Sequence, residues 1–175
     1  MKIYKTKFKG LKIINSTNFI DKRGHFRELI KENEINKKFP FKVMSFSKKN
    51  VLRGMHLQNK KSQGKFISVI KGKIYDVVID LRKKSKMFGK KFYIVLSDKN
   101  CKSIYIPPGF AHGFYTLSNE NYIVYSCTNY RHKNSEVSLN WKDKGLNIKW
   151  PCKKPIMSKK DKNSISLKEF FKFKK

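Results

Sequence analysis

Lys65 to Leu81 reads KFISVIKGKIYDVVIDL, two runs rich in Ile, Val, Tyr and Phe separated at Gly72. Short apolar runs of β-branched and aromatic residues, broken by a turn residue, predict strands rather than helices. KFYIVLS (91 to 97), SIYIP (103 to 107), HGFYTL (112 to 117) and NYIVYSCTN (121 to 129) extend the pattern, with Gly, Pro, Asn, Asp or Ser between them. The chain therefore reads as all-β. Only Phe26 to Lys38, with Leu29, Ile30 and Ile35, and the tail Ser166 to Lys175 predict short helices. No repeat, linker or low-complexity block divides the 175 residues, so 1 to 175 is expected to form a single domain, with the lysine-rich tail after Trp150 as a flap.

Antiparallel strands at this spacing fit a jelly roll, a cupin-like barrel with a few short helices. Alternation along KIYDVVIDL puts Tyr75, Val77, Ile79 and Leu81 on one face and Ile74, Asp76, Val78 and Asp80 on the other. Two carboxylates thus share a face. That face is either turned to solvent or lines a polar pocket inside the barrel, and alternation alone does not choose.

The net charge is +30, from 42 Lys and Arg against 12 Asp and Glu. Such a field attracts anionic partners. The lysines are spread along the whole chain rather than gathered on one stripe, which disfavours a nucleic-acid partner and leaves a small anionic substrate. Cys101, Cys127 and Cys152 are odd in number and far apart, arguing against a disulfide framework or a zinc site and for a reducing compartment. The N-terminal MKIYKTKFKG lacks a secretory apolar core, and the apolar runs are too short to cross a membrane as helices. A cytoplasmic protein with no membrane partner is expected.

Candidate chemistry centres on His56 in RGMHLQ and His112 in PPGFAHGF. Neither belongs to an HxH pair, so no metal site is expected. With Lys65 and Tyr125, and with Asp76 and Asp161 as carboxylate partners, these histidines form a plausible acid–base set. Histidine titrates near neutrality, a carboxylate fixes its tautomer, an ammonium steadies an oxyanion, and a phenol returns a proton from another direction. Such a set suits enolisation beside a ketone and calls for no cofactor.

FIDKRGHFRE (19 to 28), SFSKKNVLRGMHLQ (45 to 58), QGKFISVIKGKIYDVVIDLRKKSKMFG (63 to 89), IYIPPGFAHGFYTLS (104 to 118), YSCTNYRHKNSE (125 to 136), LNWKDKGLNIKWP (139 to 151) and MSKKD (157 to 161) occur in an order and spacing that resemble the dTDP-4-dehydrorhamnose 3,5-epimerase family. The resemblance covers about residues 3 to 165. It implies inversion at C3, and at C5 as well, of a nucleotide-activated 4-keto-6-deoxysugar, without metal or cofactor. It also implies a homodimer whose partner completes the site with its N-terminal region, Arg23 and Glu28 included.

Carried over by resemblance, His56 is the base, Asp161 its orienting carboxylate, Tyr125 the acid on the opposite face of the ring, and Lys65 the group that steadies the enolate. Arg23, Glu28, Arg53, His112, Arg131, Glu136 and Lys160 match substrate-binding positions, and Asp76 a supporting one. Three positions depart from the family pattern: Phe41 and Val43 stand where Gln and Asn are usual, and Arg131 where an aromatic often stacks on the base. They put the nucleotide in question. Three readings compete with the epimerase: a related ketoisomerase moving the carbonyl from C4 to C3, a silent sugar-nucleotide binder, and a basic nucleic-acid binder. Retention of His56, Tyr125 and the SKKD segment favours the epimerase.

Overall fold

The computed structural model describes residues 1–172. Its scaffold is two antiparallel sheets packed face to face, the cupin-like sandwich that the strand spacing predicts. In the first sheet the strand order is β1 (Lys2–Lys5), β2 (Lys12–Asn15), β10 (Lys102–Ile106), β7 (Lys65–Lys71), β12 (Glu120–Cys127) and β5 (Phe41–Lys48). In the second it is β13 (Glu136–Ser138), β6 (Leu52–Gln58), β11 (Phe110–Thr116), β8 (Lys73–Asp80) and β9 (Lys91–Ser97). A separate hairpin pairs β3 (Asn18–Asp21) with β4 (Gly24–Arg27).

β8 shows why its sequence is nearly continuous in apolar residues. Ile74 and Val78 point into the sandwich, where they meet Ile67, Val69, Ile104 and Ile123 of the first sheet. Val77 and Ile79 point outward, against Leu139, Leu146 and Phe170 of the C-terminal segment. Both faces are covered. The solvent-facing alternative for Asp76 and Asp80 therefore does not hold: both are fully buried, each with a specific partner.

The segment after Trp150 is part of this outer layer. Val51 bridges Ile156 and Leu139 bridges Ile165, both in parallel. Its helices, α2 (Lys159–Lys162) and α3 (Leu167–Lys172), are only four and six residues long. Helices so short are not stable alone. A buried side chain such as Phe170 contributes about 1.5–3 kcal/mol, so packing is what holds the layer. The helix expected over 166 to 175 is seen from Leu167 to Lys172; residues 173 to 175 lie outside the described residues.

The helix expected over Phe26 to Lys38 is largely absent. Gly24–Arg27 is a strand, because Gly24 takes φ +132° at the tip of the β3–β4 hairpin. What remains is one turn, α1 (Glu32–Ile35), stopped by Asn36 in the left-handed conformation at φ 57°. Its Ile35 and the following Phe39 pack on Phe66 and Tyr105, covering the outer face of the first sheet.

Candidate active site

The acid–base residues meet because β6 and β11 approach unusually closely. A Cβ on Gly54 would lie 2.5 Å from the Gly113 Cα, and one on Gly113 would lie 2.8 Å from the Arg53 carbonyl oxygen. Only glycine fits at that crossing. It sets His56 opposite His112 in the register of the two strands, with Arg53 beside Phe114. β7 brings Lys65 and β12 brings Tyr125 from the facing sheet.

These residues line a cleft with two adjoining lobes that share Arg53, His56, Lys65 and Arg131. One lobe, about 220 Å³, is bounded by Glu136, Lys160 and Asp161. The other, about 370 Å³, is bounded by Phe41, Val43, Ser45, His112 and Tyr125. His56 and Tyr125 thus enter from opposite sheets.

His56 Nε2 lies 2.5 Å from Asp161 Oδ1, although 105 residues separate them in sequence. Asp161 is presented by α2, whose N-cap Ser158 accepts the Asp161 backbone N–H at 3.1 Å. That S-x-x-D pattern is an N-terminal helix signature legible in the sequence. Burial alone would push the Asp161 carboxyl up. Its bonds to His56 and Ser158, with the charge of Lys160, outweigh burial and hold it below the ordinary range. The carboxylate is ionised and accepts the His56 N–H.

A second pair lies deeper. His112 Nε2 is 2.7 Å from Asp76 Oδ2, and both side chains are buried. The other oxygen, Asp76 Oδ1, has no hydrogen-bond partner. Sequence spacing offered Asp76 and Asp161 as carboxylate partners, and the resemblance gave Asp161 to His56; the structure gives Asp76 to His112, two residues off direct register across the β8–β11 pair.

Burial pushes the Tyr125 phenol far above its ordinary value, opposed in part by a 3.1 Å hydrogen bond with Ser45 and by the charge of Arg53. It stays protonated near neutrality. Burial pushes the Lys65 ammonium the other way, downward, with Cys127, Glu136 and Asp76 opposing. At the cleft mouth Glu136 accepts Arg131 Nε at 2.5 Å and Nη2 at 3.0 Å, and Lys160 Nζ at 2.6 Å. The Arg131 bonds lower its carboxyl most; burial opposes them, Lys160 adds to them, and it falls to about 2.

Nine of the eleven site residues expected from sequence converge here: His56, Lys65, Tyr125, Asp161, Arg53, His112, Arg131, Glu136 and Lys160. Arg23 and Glu28 do not. Arg23 stands exposed on the hairpin, paired with Asp21, and Glu28 pairs with Lys31. Ser45 and Ser158 were not foreseen as site residues. Among the described residues, no three of His, Cys, Asp and Glu gather as a metal-binding group.

Fold and cleft define a class: a cupin-like sandwich with a histidine–carboxylate pair on one wall and a buried tyrosine on the other. The family model for dTDP-4-dehydrorhamnose 3,5-epimerase matches residues 5–169, and the chain belongs to that family. The curated dTDP-4-dehydrorhamnose 3,5-epimerase of Methanothermobacter thermautotrophicus is 39% identical over 173 residues, covering 94% of each chain. A crystal structure of the Legionella pneumophila 3,5-epimerase in complex with dTDP-4-keto-L-rhamnose superposes with a TM-score of 0.90 at 38% identity, over 95% of this chain and 93% of that one. The Bacillus anthracis dTDP-4-dehydrorhamnose 3,5-epimerase, with TDP and pyrophosphate bound, gives 0.91 at 35% identity, over 95% and 99%.

Proposed function

We propose that the chain is an epimerase that inverts C3, and C5 as well, of a dTDP-4-keto-6-deoxysugar or a close analogue. The observation that carries this reading is the placement of the His56–Asp161 pair and Tyr125 on opposite walls of one cleft. A ketone at C4 acidifies the hydrogens on its neighbours, so a base below the ring and an acid above it can remove a proton from one face and return it to the other. With Nε2 committed to Asp161, His56 Nδ1 is the nitrogen that takes the proton. Lys65 steadies the enolate oxygen, and Tyr125, kept protonated by burial, is the donor. Arg53, His112, Arg131, Glu136 and Lys160 bind substrate. None of these steps requires a metal or a cofactor.

The position of Phe41 supports an altered base site. Its ring lies 5.8 Å from that of Tyr130, and with Val43 it gives the second lobe an apolar side; Arg131 is held by Glu136. Rings and methyl groups do not read the hydrogen-bonding edge of a base, so nucleotide preference should be weak.

The functional unit is a homodimer in this reading. Edge strand β5 exposes Val43, Met44 and Phe46, and the hairpin exposes Phe19, Ile20 and Phe26. An unpaired edge carrying apolar side chains calls for a partner. A second copy covering it would let the hairpin's Arg23, with Glu28 just beyond, reach the neighbouring cleft. The proposed site of action is the cytoplasm, where a reducing environment keeps thiols such as the three free cysteines reduced.

The test is a panel of dTDP, UDP, GDP and CDP 4-keto-6-deoxysugars in deuterium oxide. Deuterium entering C3 and C5, with an inverted product, is expected. Exchange at C3 alone removes the second inversion, carbonyl migration to C3 indicates a ketoisomerase, and preference for dTDP by a large factor overturns the base-site argument.

A further inference from the structure

A second cavity, about 440 Å³, shares no lining residue with the cleft. It lies between the turn joining β1 to β2 and the loop leaving β8, and its walls carry Lys7, Lys9, Lys84 and Lys86 with Arg82 and Met87. Among the described residues, no Asp or Glu lines it, and none of the four lysines takes part in an ion pair.

The wall that presents them is built rather than loose. Buried Asp80 accepts Arg82 Nε at 2.8 Å, Arg82 Nη2 at 2.6 Å and the Ser85 hydroxyl at 2.6 Å. Arg82 Nη1 donates to the Lys9 carbonyl at 2.9 Å, tying the two loops together, and its guanidinium lies 4.4 Å from the centre of the Phe110 ring. The Met87 N–H donates to Ser85 Oγ at 3.1 Å. Every nitrogen of the Arg82 fork is therefore occupied and its charge is balanced by Asp80. The uncompensated charge belongs to the lysines on either side. Like charges around one opening repel, and a multivalent anion turns that repulsion into attraction. Fixing the backbone beforehand lowers the ordering cost of binding.

We infer that this cavity is an anion site for a di- or triphosphate group, separate from the cleft and independent of the epimerase reading. The four ammonium groups meet the phosphate oxygens, and the Met87 side chain offers a floor for an organic group attached to them.

The experiment is calorimetric titration of inorganic triphosphate at physiological ionic strength into four proteins. These are wild type; the cavity variant Lys7→Gln/Lys84→Gln/Lys86→Gln; a control of equal charge change, Lys60→Gln/Lys99→Gln/Lys168→Gln, at exposed positions elsewhere; and Arg53→Ala in the cleft. The cavity variant should lose tenfold or more in affinity for one equivalent, the control less than threefold, and Arg53→Ala should keep that equivalent. The cavity variant should also keep wild-type turnover. Equal loss in the two triple variants would mean a general field effect and overturn the site. Loss in Arg53→Ala alone would place the anion in the cleft and overturn it equally. Adenosine triphosphate distinguishes the sources: tighter binding than inorganic triphosphate supports a nucleotide on the Met87 floor, and equal binding supports the phosphate chain alone.

Discussion

In the proposed mechanism His56 and Tyr125 divide one proton transfer between two walls, so replacing them should have different consequences. His56→Asn keeps a hydrogen-bonding group but removes the base; deuterium exchange at C3 and inversion should both fall by on the order of a hundredfold or more. Tyr125→Phe leaves the base in place, so exchange by His56 should continue while inversion collapses. Asp161→Asn should fall between them, because the imidazole remains but loses the carboxylate that fixes its tautomer. The ratio of deuterium incorporation to product, followed by NMR, separates the three, and near wild-type exchange in His56→Asn would remove the assignment. Residue types and motifs made His56, Lys65 and Tyr125 visible as candidates in the sequence. The resemblance also offered Asp161 as the partner of His56; the pairing of His112 with Asp76 was not visible, because it depends on how β8 and β11 lie side by side.

The strands were legible because alternating Ile, Val, Tyr and Phe leave few alternatives to a sheet. Phe26 to Lys38 was misleading for an equally physical reason: Leu29, Ile30 and Ile35 imitate a helical stripe, but the Gly24 turn draws the preceding residues into a hairpin and Asn36 ends the helix after one turn. At the exit of β8, Asp80 fastens a loop rather than lining a solvent face. Burial pushes its carboxyl up, yet the bonds to Arg82 and Ser85 prevail and hold it below the ordinary value. An unfolded Asp titrates near about 3.9. A carboxyl depressed in the folded state stabilises fully above that pH, and its contribution fades as pH falls through the folded value. Asp80→Asn should therefore lower the urea midpoint at pH 7 and lose less than wild type between pH 4 and pH 3. A parallel decline of the two proteins over that interval would show that Asp80 is not the group responsible.

For the whole molecule, the exposed edge strand predicts assembly. Light scattering should give twice the chain mass of 20.7 kDa, and Phe46→Glu should halve it by placing a charge on that edge. If the hairpin completes a neighbouring cleft, the monomer should also lose activity beyond what Phe46 itself explains, and Arg23→Ala should reproduce that loss without changing the mass. A monomeric wild type with full turnover would end the shared-site reading. The pairing of His56 with Asp161 has a further consequence for how activity first arises during synthesis. The strands of both sheets end at Ser138, whereas Asp161 follows more than twenty residues later on the one-turn helix α2. In a nascent chain still threaded through the ribosome, a base on β6 has no carboxylate to orient it until that later segment emerges. On the assignment proposed here, catalytic competence arrives only when the segment that carries Asp161 has left the exit tunnel and docked beside β6.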